Sequence, residues 1–146
     1  MVLIKSPSTE QEFASYYQFR WEQLRKPLGL SIGSERDQME EFAYHCMAVD
    51  DNGSLVGVGR IHITPQQDMQ IRYMAVDARY QNQGIGTSIL NFLLSYAVDQ
   101  QVSRCWLNAR SAACQFYEKA GFENLRPVSS ELDIPHFRME IALGRS

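Results

Sequence analysis

Two glycines, Gly84 and Gly86, stand between an apolar strand and a strongly amphipathic helix. The stretch reads Met74-Ala75-Val76-Asp77-Ala78-Arg79-Tyr80-Gln81-Asn82-Gln83-Gly84-Ile85-Gly86-Thr87. The first turn of a helix leaves N–H groups unpaired and carries partial positive charge. Glycine lets a backbone approach a ligand closely and take dihedrals that other residues avoid. Together these features make an anion site suited to a pyrophosphate. A G-x-G pair by itself also fits an ordinary turn. Spacing excludes two common nucleotide loops. A Walker loop needs a lysine after its last glycine, and none follows Gly86. A dinucleotide fingerprint needs a third glycine where Ile89 stands.

The elements that must hold this loop can be read from periodicity. Residues 2–6 predict a short strand. Ser8 or Thr9 predicts a helix start, and Thr9 with Glu12 has capping-box spacing. Phe13, Tyr16, Tyr17, Trp21 and Leu24 then recur at helical spacing until Pro27 and Gly29 end the pattern. A short helix is expected over 35–41. Two apolar runs, 43–49 and 55–63, flank Asn52-Gly53, a strong hairpin signal. Residues 65–68 form a second turn, and 69–76 a third antiparallel strand. Ile85, Ile89, Phe92, Leu93 and Tyr96 line one face of a helix over 85–100. Residues 105–108 read as a strand. Ser111 is positioned to cap a helix over 112–120, with Gly121 at its C-terminal end. Residues 135–142 alternate as a last strand. This order predicts one α/β domain over 1–146 with helices on both sides of a sheet.

Bulk properties narrow the function. One domain suits 146 residues. A net charge of −3 provides no basic footprint for nucleic acid. No apolar run approaches the roughly 20 residues of a membrane span, so no membrane partner is expected. The N-terminus lacks the basic and long apolar regions of a signal peptide. Cys46, Cys105 and Cys114 are odd in number and widely spaced, which argues against a metal or dithiol site and fits a reducing cytoplasm. Cys114 reads as a nucleophile or, better, as helix packing.

Three blocks carry a resemblance. The first is Gln81-Asn82-Gln83-Gly84-Ile85-Gly86. The second is Leu107-Asn108-Ala109-Arg110 with Phe116-Tyr117-Glu118-Lys119-Ala120-Gly121-Phe122. The third is Ile134-Pro135-His136-Phe137-Arg138-Met139. In this order and separation they resemble the GNAT superfamily of N-acetyltransferases, the last block being similar to the I-P-H-x-x-M segment of one branch. The resemblance implies a mixed, mostly antiparallel sheet whose central parallel pair splays apart. It implies acetyl-CoA as acyl donor, with pantetheine bound by backbone groups at Met74, Ala75 and Val76. The amides of Gln81, Asn82, Gln83, Gly84, Ile85, Gly86 and Thr87 would hold the pyrophosphate. Asn108 would contact pantetheine, or merely turn the chain at a strand end. Tyr117 would face the CoA sulfur as hydrogen-bond donor or acid, or serve as a core aromatic with Ala113 and Ala120.

The acceptor half is less legible. An unperturbed lysine-like amine has a pKa near 10.4 and must lose a proton before it attacks. Some relatives in the family place a glutamate on the strand before the glycine loop; here residues 69–74 hold no carboxylate. Candidate bases are His136, His62, His45 and Glu41, with an ordered water chain as the alternative. Histidine titrates in the useful range, and His136 lies in the third block. Arg60 and His62 share a strand face that looks into the acceptor cleft or into solvent. Arg20, Trp21 and Arg25 lie on the first helix, as a grip for an acidic substrate or as a solvated face. The expected reaction is direct acetyl transfer to a primary amine in a ternary complex; the alternative is a non-catalytic acyl-CoA-binding module. The acceptor is unidentified, its specificity lying in loops 26–41 and 124–135. Exposed edge strands leave room for a homodimer.

Overall fold

A computed structural model describes residues 1–130 and 134–144. The elements run β1 (Leu3–Lys5), α1 (Glu10–Leu24), β2 (Tyr44–Val49), β3 (Leu55–Ile63), β4 (Met69–Val76), α2 (Ile85–Asp99), β5 (Arg104–Arg110), α3 (Cys114–Lys119), β6 (Glu123–Val128) and β7 (His136–Ala142). Helix α1 starts as its residues dictate. Thr9 Oγ1 accepts from the Glu12 amide at 3.0 Å, while the Glu12 carboxylate reaches back to the Ser8 amide at 2.8 Å. The reciprocal bond thus lands one residue before the capping threonine.

The seven strands form one sheet in the order β1-β2-β3-β4-β5-β7-β6. Every neighbouring pair is antiparallel except β4–β5. Helices lie on both faces. Ile85, Ile89, Leu90 and Leu93 of α2, with Tyr117 of α3, bury one face over Ile61, Ile71 and Leu107. Tyr16 and Phe19 of α1 cover Met47 and Val58 on the other. Gly57 and Gly59 let α2 sit down on β3. A Cβ on Gly57 would lie 2.7 Å from Ile89 Cδ1, and one on Gly59 2.7 Å from Met74 Sδ. Among the described residues no helix is long and apolar enough to cross a membrane.

Four expectations change. The helix expected over 35–41 is a run of turns with one 3₁₀ turn at Glu40–Phe42. Its carboxylates cap loop amides instead. Glu35 accepts from Gly33, Asp37 from Met39, and Glu40 from Asp37. Such local bonds compete with helix. Ser111 does not cap α3: it opens a 3₁₀ turn, gives its amide to the Pro135 carbonyl, and leaves Ala113 at the helix start. Strand β6 forms where the sequence predicts loop, since Glu-Asn-Leu-Arg-Pro-Val has no apolar alternation; it is an exposed edge held by β7. Within the 124–135 loop, residues 131–133 lie outside the described residues. Asn108 sits inside β5, two residues before its end, so it is not a strand-end turn former.

Candidate functional site

Strands β4 and β5 pair only at Met69↔Cys105 and Gln70↔Trp106. Beyond that they part. The cause lies in β4. Register passes from Val58↔Ala75 to Arg60↔Arg72, so Gly59 faces two residues, Tyr73 and Met74. Tyr73 takes a left-handed φ of 60°. A bulge of this kind bends its strand. Strand β5 stays straight because β7 pairs it from Arg104↔Ala142 to Arg110↔His136. A wedge-shaped gap results, open toward Val76 and Arg110.

The edge of this gap is polar backbone. The Asp77 amide bonds the Val56 carbonyl across the Gly57↔Val76 pair. Antiparallel ladders alternate direction along the strand. Ala75 and Asp77 therefore face β3, and the N–H and C=O groups of Met74 and Val76 face the gap. The Val76 carbonyl takes a side-chain bond from Gln81 at 3.4 Å.

At the open end stands the start of α2. Asn82 and Gly84 both have positive φ, 65° and 81°. Gly84 is the N-cap and offers no side chain, and no acidic residue occupies the first turn. The first helical bond runs from the Ser88 amide to the Gly84 carbonyl. The amides of Ile85, Gly86 and Thr87 are therefore unpaired within the helix. Gln81, Asn82, Gln83, Gly84 and Thr87 are exposed and Ile85 is buried, as a loop needs if its amides are to meet a ligand while its helix stays anchored. A cavity of about 520 Å³ lies on the outer side of this loop beside Asp50 and Asp51. Those carboxylates would repel a pyrophosphate, which makes the wedge side of the loop the better match for an anion.

Helix α3 closes the far side. Phe116 touches Gly86, and Tyr117 packs edge-on against Phe116 and Phe122. Burial raises the Tyr117 phenol well above its ordinary pKa, so it keeps its proton. Cys114 is half-buried beside the Arg110 carbonyl, and burial raises its thiol, which disfavours a nucleophile. Asn108 is exposed, directly opposite Arg138. His136 pairs with Arg110 and sits at the open end of the wedge. Its Nδ1 donates to the Ile134 carbonyl at 2.6 Å. In the neutral ring the free lone pair is then on Nε2.

The other face holds a buried ionic network that joins several expected residues differently. Arg20 is fully buried and bonds Glu40, the Tyr16 hydroxyl and the Glu35 carbonyl. It is not a solvated helix position. Arg60 is equally buried and bonds Asp37 and Glu40. Arg72 joins Asp37 at 2.8 Å. Arg60 also donates to His62 Nδ1, so the His62 proton sits on Nε2 and no lone pair is free. Burial, then Arg60, lowers its pKa to about 4. His45 uses both nitrogens, on Tyr16 and the Glu40 carbonyl, and burial lowers its pKa too. Trp21 bonds the Leu30 carbonyl and pins the following loop. Glu41 is exposed on its turn.

Sequence reasoning missed Tyr73, Arg72, Asp37, Glu40 and Arg110. The available signal was Arg60, His62 and Arg72 at alternating positions of one hairpin, facing the acidic loop 35–41. Nothing in the sequence signals the bulge that turns Tyr73 to the same face as Arg72.

A family model described as the acetyltransferase (GNAT) family matches residues 7–122. An amino-acid acetyltransferase of Mycobacterium tuberculosis (strain ATCC 25618 / H37Rv) is 32% identical over 82 residues, 55% of this chain and 46% of that protein. The chain thus spans about half the length of the curated relative it matches. An acyl-CoA N-acyltransferase from Pseudomonas aeruginosa superposes with a TM-score of 0.78 at 21% identity, covering 97% of this chain and 99% of that one. An aminoglycoside 6'-N-acetyltransferase complexed with coenzyme A gives 0.80 at 14% identity, covering 99% of each. At these identities the solved structures are likenesses of fold.

Proposed function

The chain belongs to the GNAT acetyltransferase family, whose acyl donor is acetyl-CoA, and on that premise we propose that it moves the acetyl group to a primary amine by direct attack in a ternary complex. One observation carries the reading: β4 and β5 part after two pairs, and the open end faces the amide-lined, uncapped start of α2. In this reading the gap-facing backbone of Met74 and Val76 holds the pantetheine arm. The amides from Gln81 to Thr87 hold the pyrophosphate.

The roles at the reacting centre follow from protonation. The amine nitrogen bonds to the thioester carbon, the C–S bond breaks, and sulfur leaves with the electron pair. Tyr117, kept protonated by burial, donates a hydrogen bond to the departing sulfur. A thiol near 8.5, by analogy with cysteine, holds its charge more easily than a buried phenol. The tyrosine therefore stabilises the leaving group more than it surrenders its proton. His136 Nε2 takes the proton that the amine loses. His45 and His62 are unsuited, because neither ring keeps a free lone pair: His45 uses both nitrogens, and the His62 Nδ1 lone pair accepts from Arg60. The products are an amide and the CoA thiolate, which takes up a proton from solvent. The free, buried Cys46 and Cys105 fit the cytoplasmic setting proposed with this activity.

Calorimetry with acetyl-CoA and thiol release across an amine panel test the reading. Binding below millimolar and turnover with at least one amine are expected. No binding at millimolar acetyl-CoA overturns it. Binding without turnover on any natural amine favours a non-catalytic acyl-CoA-binding module, an alternative motivated by the missing carboxylate on β4.

A further inference from the structure

The sheet face beside the wedge is rich in guanidinium groups. Directly paired residues share a face. Asn108↔Arg138 and Arg110↔His136 therefore stand together on β5 and β7. The Gln70↔Trp106 pair puts Arg72, two residues further on, on that same face, and the bulge adds Tyr73. Helix α1 borders it, covering β3 and β4. Four guanidinium carbons surround the Tyr73 ring: Arg20 at 4.1 Å, Arg72 at 4.6 Å, Arg60 at 4.9 Å and Arg25 at 5.5 Å.

The negative charge available is smaller. Asp37 and Glu40 between them serve Arg20, Arg60 and Arg72. Arg25 is 9% exposed and, among the described residues, bonds the carbonyls of Ser34 and Leu24 and no carboxylate. Arg110 makes no ion pair among the described residues. This surplus occurs in a chain whose net charge is −3. A buried cation without a counter-charge is costly. Arginine cannot relieve that cost by losing its proton. Burial lowers the Arg25 pKa first, and Arg72, Arg110 and Arg20 lower it further. A ligand oxyanion is the counter-charge that this arrangement lacks.

We propose that Arg25, Arg72 and Arg110 receive an oxyanion group on the acceptor, so that the amine substrate is itself an acid. The proposal rests on the acetyl-transfer reading above. Guanidinium groups match carboxylate and phosphate oxygens bidentately. Arg110 is the cross-strand partner of His136. An acid held there brings its amine beside His136 Nε2 at the open end of the wedge. Neutral amines lack the anchor, and polyamines are repelled.

The test uses calorimetry on the CoA-loaded protein with glutarate, inorganic phosphate and neutral glutaramide. One of the anions is expected to bind at least about tenfold tighter than glutaramide. Arg110→Gln should remove most of that difference and leave acetyl-CoA affinity within about twofold. Preference for glutarate assigns a carboxylate, and preference for phosphate assigns a phosphate. Arg72→Gln, at a partly exposed position, repeats the measurement without disturbing the buried Arg25. Equal binding of glutaramide, no anion binding below tens of millimolar, or a preference that survives both substitutions overturns the proposal. Acetyl-CoA binding is read separately, so a failed acetyl-transfer reading is distinguished from a failed anion site.

Discussion

The ring of Phe116 occupies the space beside Gly86 into which a side chain would grow. A Cβ built on that glycine would lie 3.3 Å from Phe116 Cζ and 3.7 Å from Val76 Cγ2. Helix α3 and the start of α2 are therefore fitted to each other through an absent side chain. Gly86→Val should force them apart and weaken acetyl-CoA binding at least about tenfold. Gly84→Ala meets no neighbour but must hold a φ of 81°, at a cost of about 1–2 kcal/mol. It should lower both thermal stability and affinity. Calorimetry and a melting curve check both. Wild-type affinity in both variants would remove the loop from the cofactor site.

Tyr117→Phe keeps the packed ring and deletes the donor. Turnover should fall more than about tenfold, a barrier increase of at least ~1.4 kcal/mol. Acetyl-CoA affinity should stay within about twofold. Turnover within about twofold of wild type would return Tyr117 to a packing role.

His136→Gln tests the base. The kcat/KM is expected to drop about a hundredfold, with acetyl-CoA affinity kept within about twofold. A kcat/KM within about twofold of wild type assigns the proton to a water chain instead.

Asp37 ties loop to sheet through Arg60 and Arg72. Burial alone would raise its pKa, but bonds from Arg60 and the Met39 amide bring it down to about 2. Asp37→Asn strands part of a fully buried guanidinium charge, so about 3 kcal/mol of stability should be lost. Urea unfolding measures it, and a loss near zero would mean the network contributes no net stability.

His62 predicts a pH dependence. Its pKa falls from 6.5 to about 4 on folding. Between those values the unfolded chain holds a proton that the folded chain does not. Stability therefore rises with pH across this window and is lost as pH drops from about 6.5 toward 4. After allowance for solvent screening the change is on the order of 1–2 kcal/mol. His62→Gln should flatten that segment of a urea-midpoint curve against pH. An unchanged slope would assign the dependence elsewhere.

The sequence by itself determined what is local. The Thr9 cap, the Asn52-Gly53 hairpin, the face of α2 and the Gln81–Thr87 loop each depend on contacts a few residues apart. Short-range spacing encodes such contacts directly. The proposed cofactor half of the site is legible for that reason, because the groups assigned to it are the backbone amides of one turn. Tertiary structure decided which groups line the proposed acceptor half. Arg72 meets Asp37 across 35 residues, and no periodicity announces such a partner. Arg20 reads as a surface position until the folded loop covers it. The bulge at Tyr73 has no residue signature, yet it opens the wedge and sets Arg72 and Tyr73 on one face. Strand β6 exists only because β7 offers it a ladder. Where chemistry depends on which distant charges are buried together, only the closed chain fixes their identity, since burial and not spacing sets their energy.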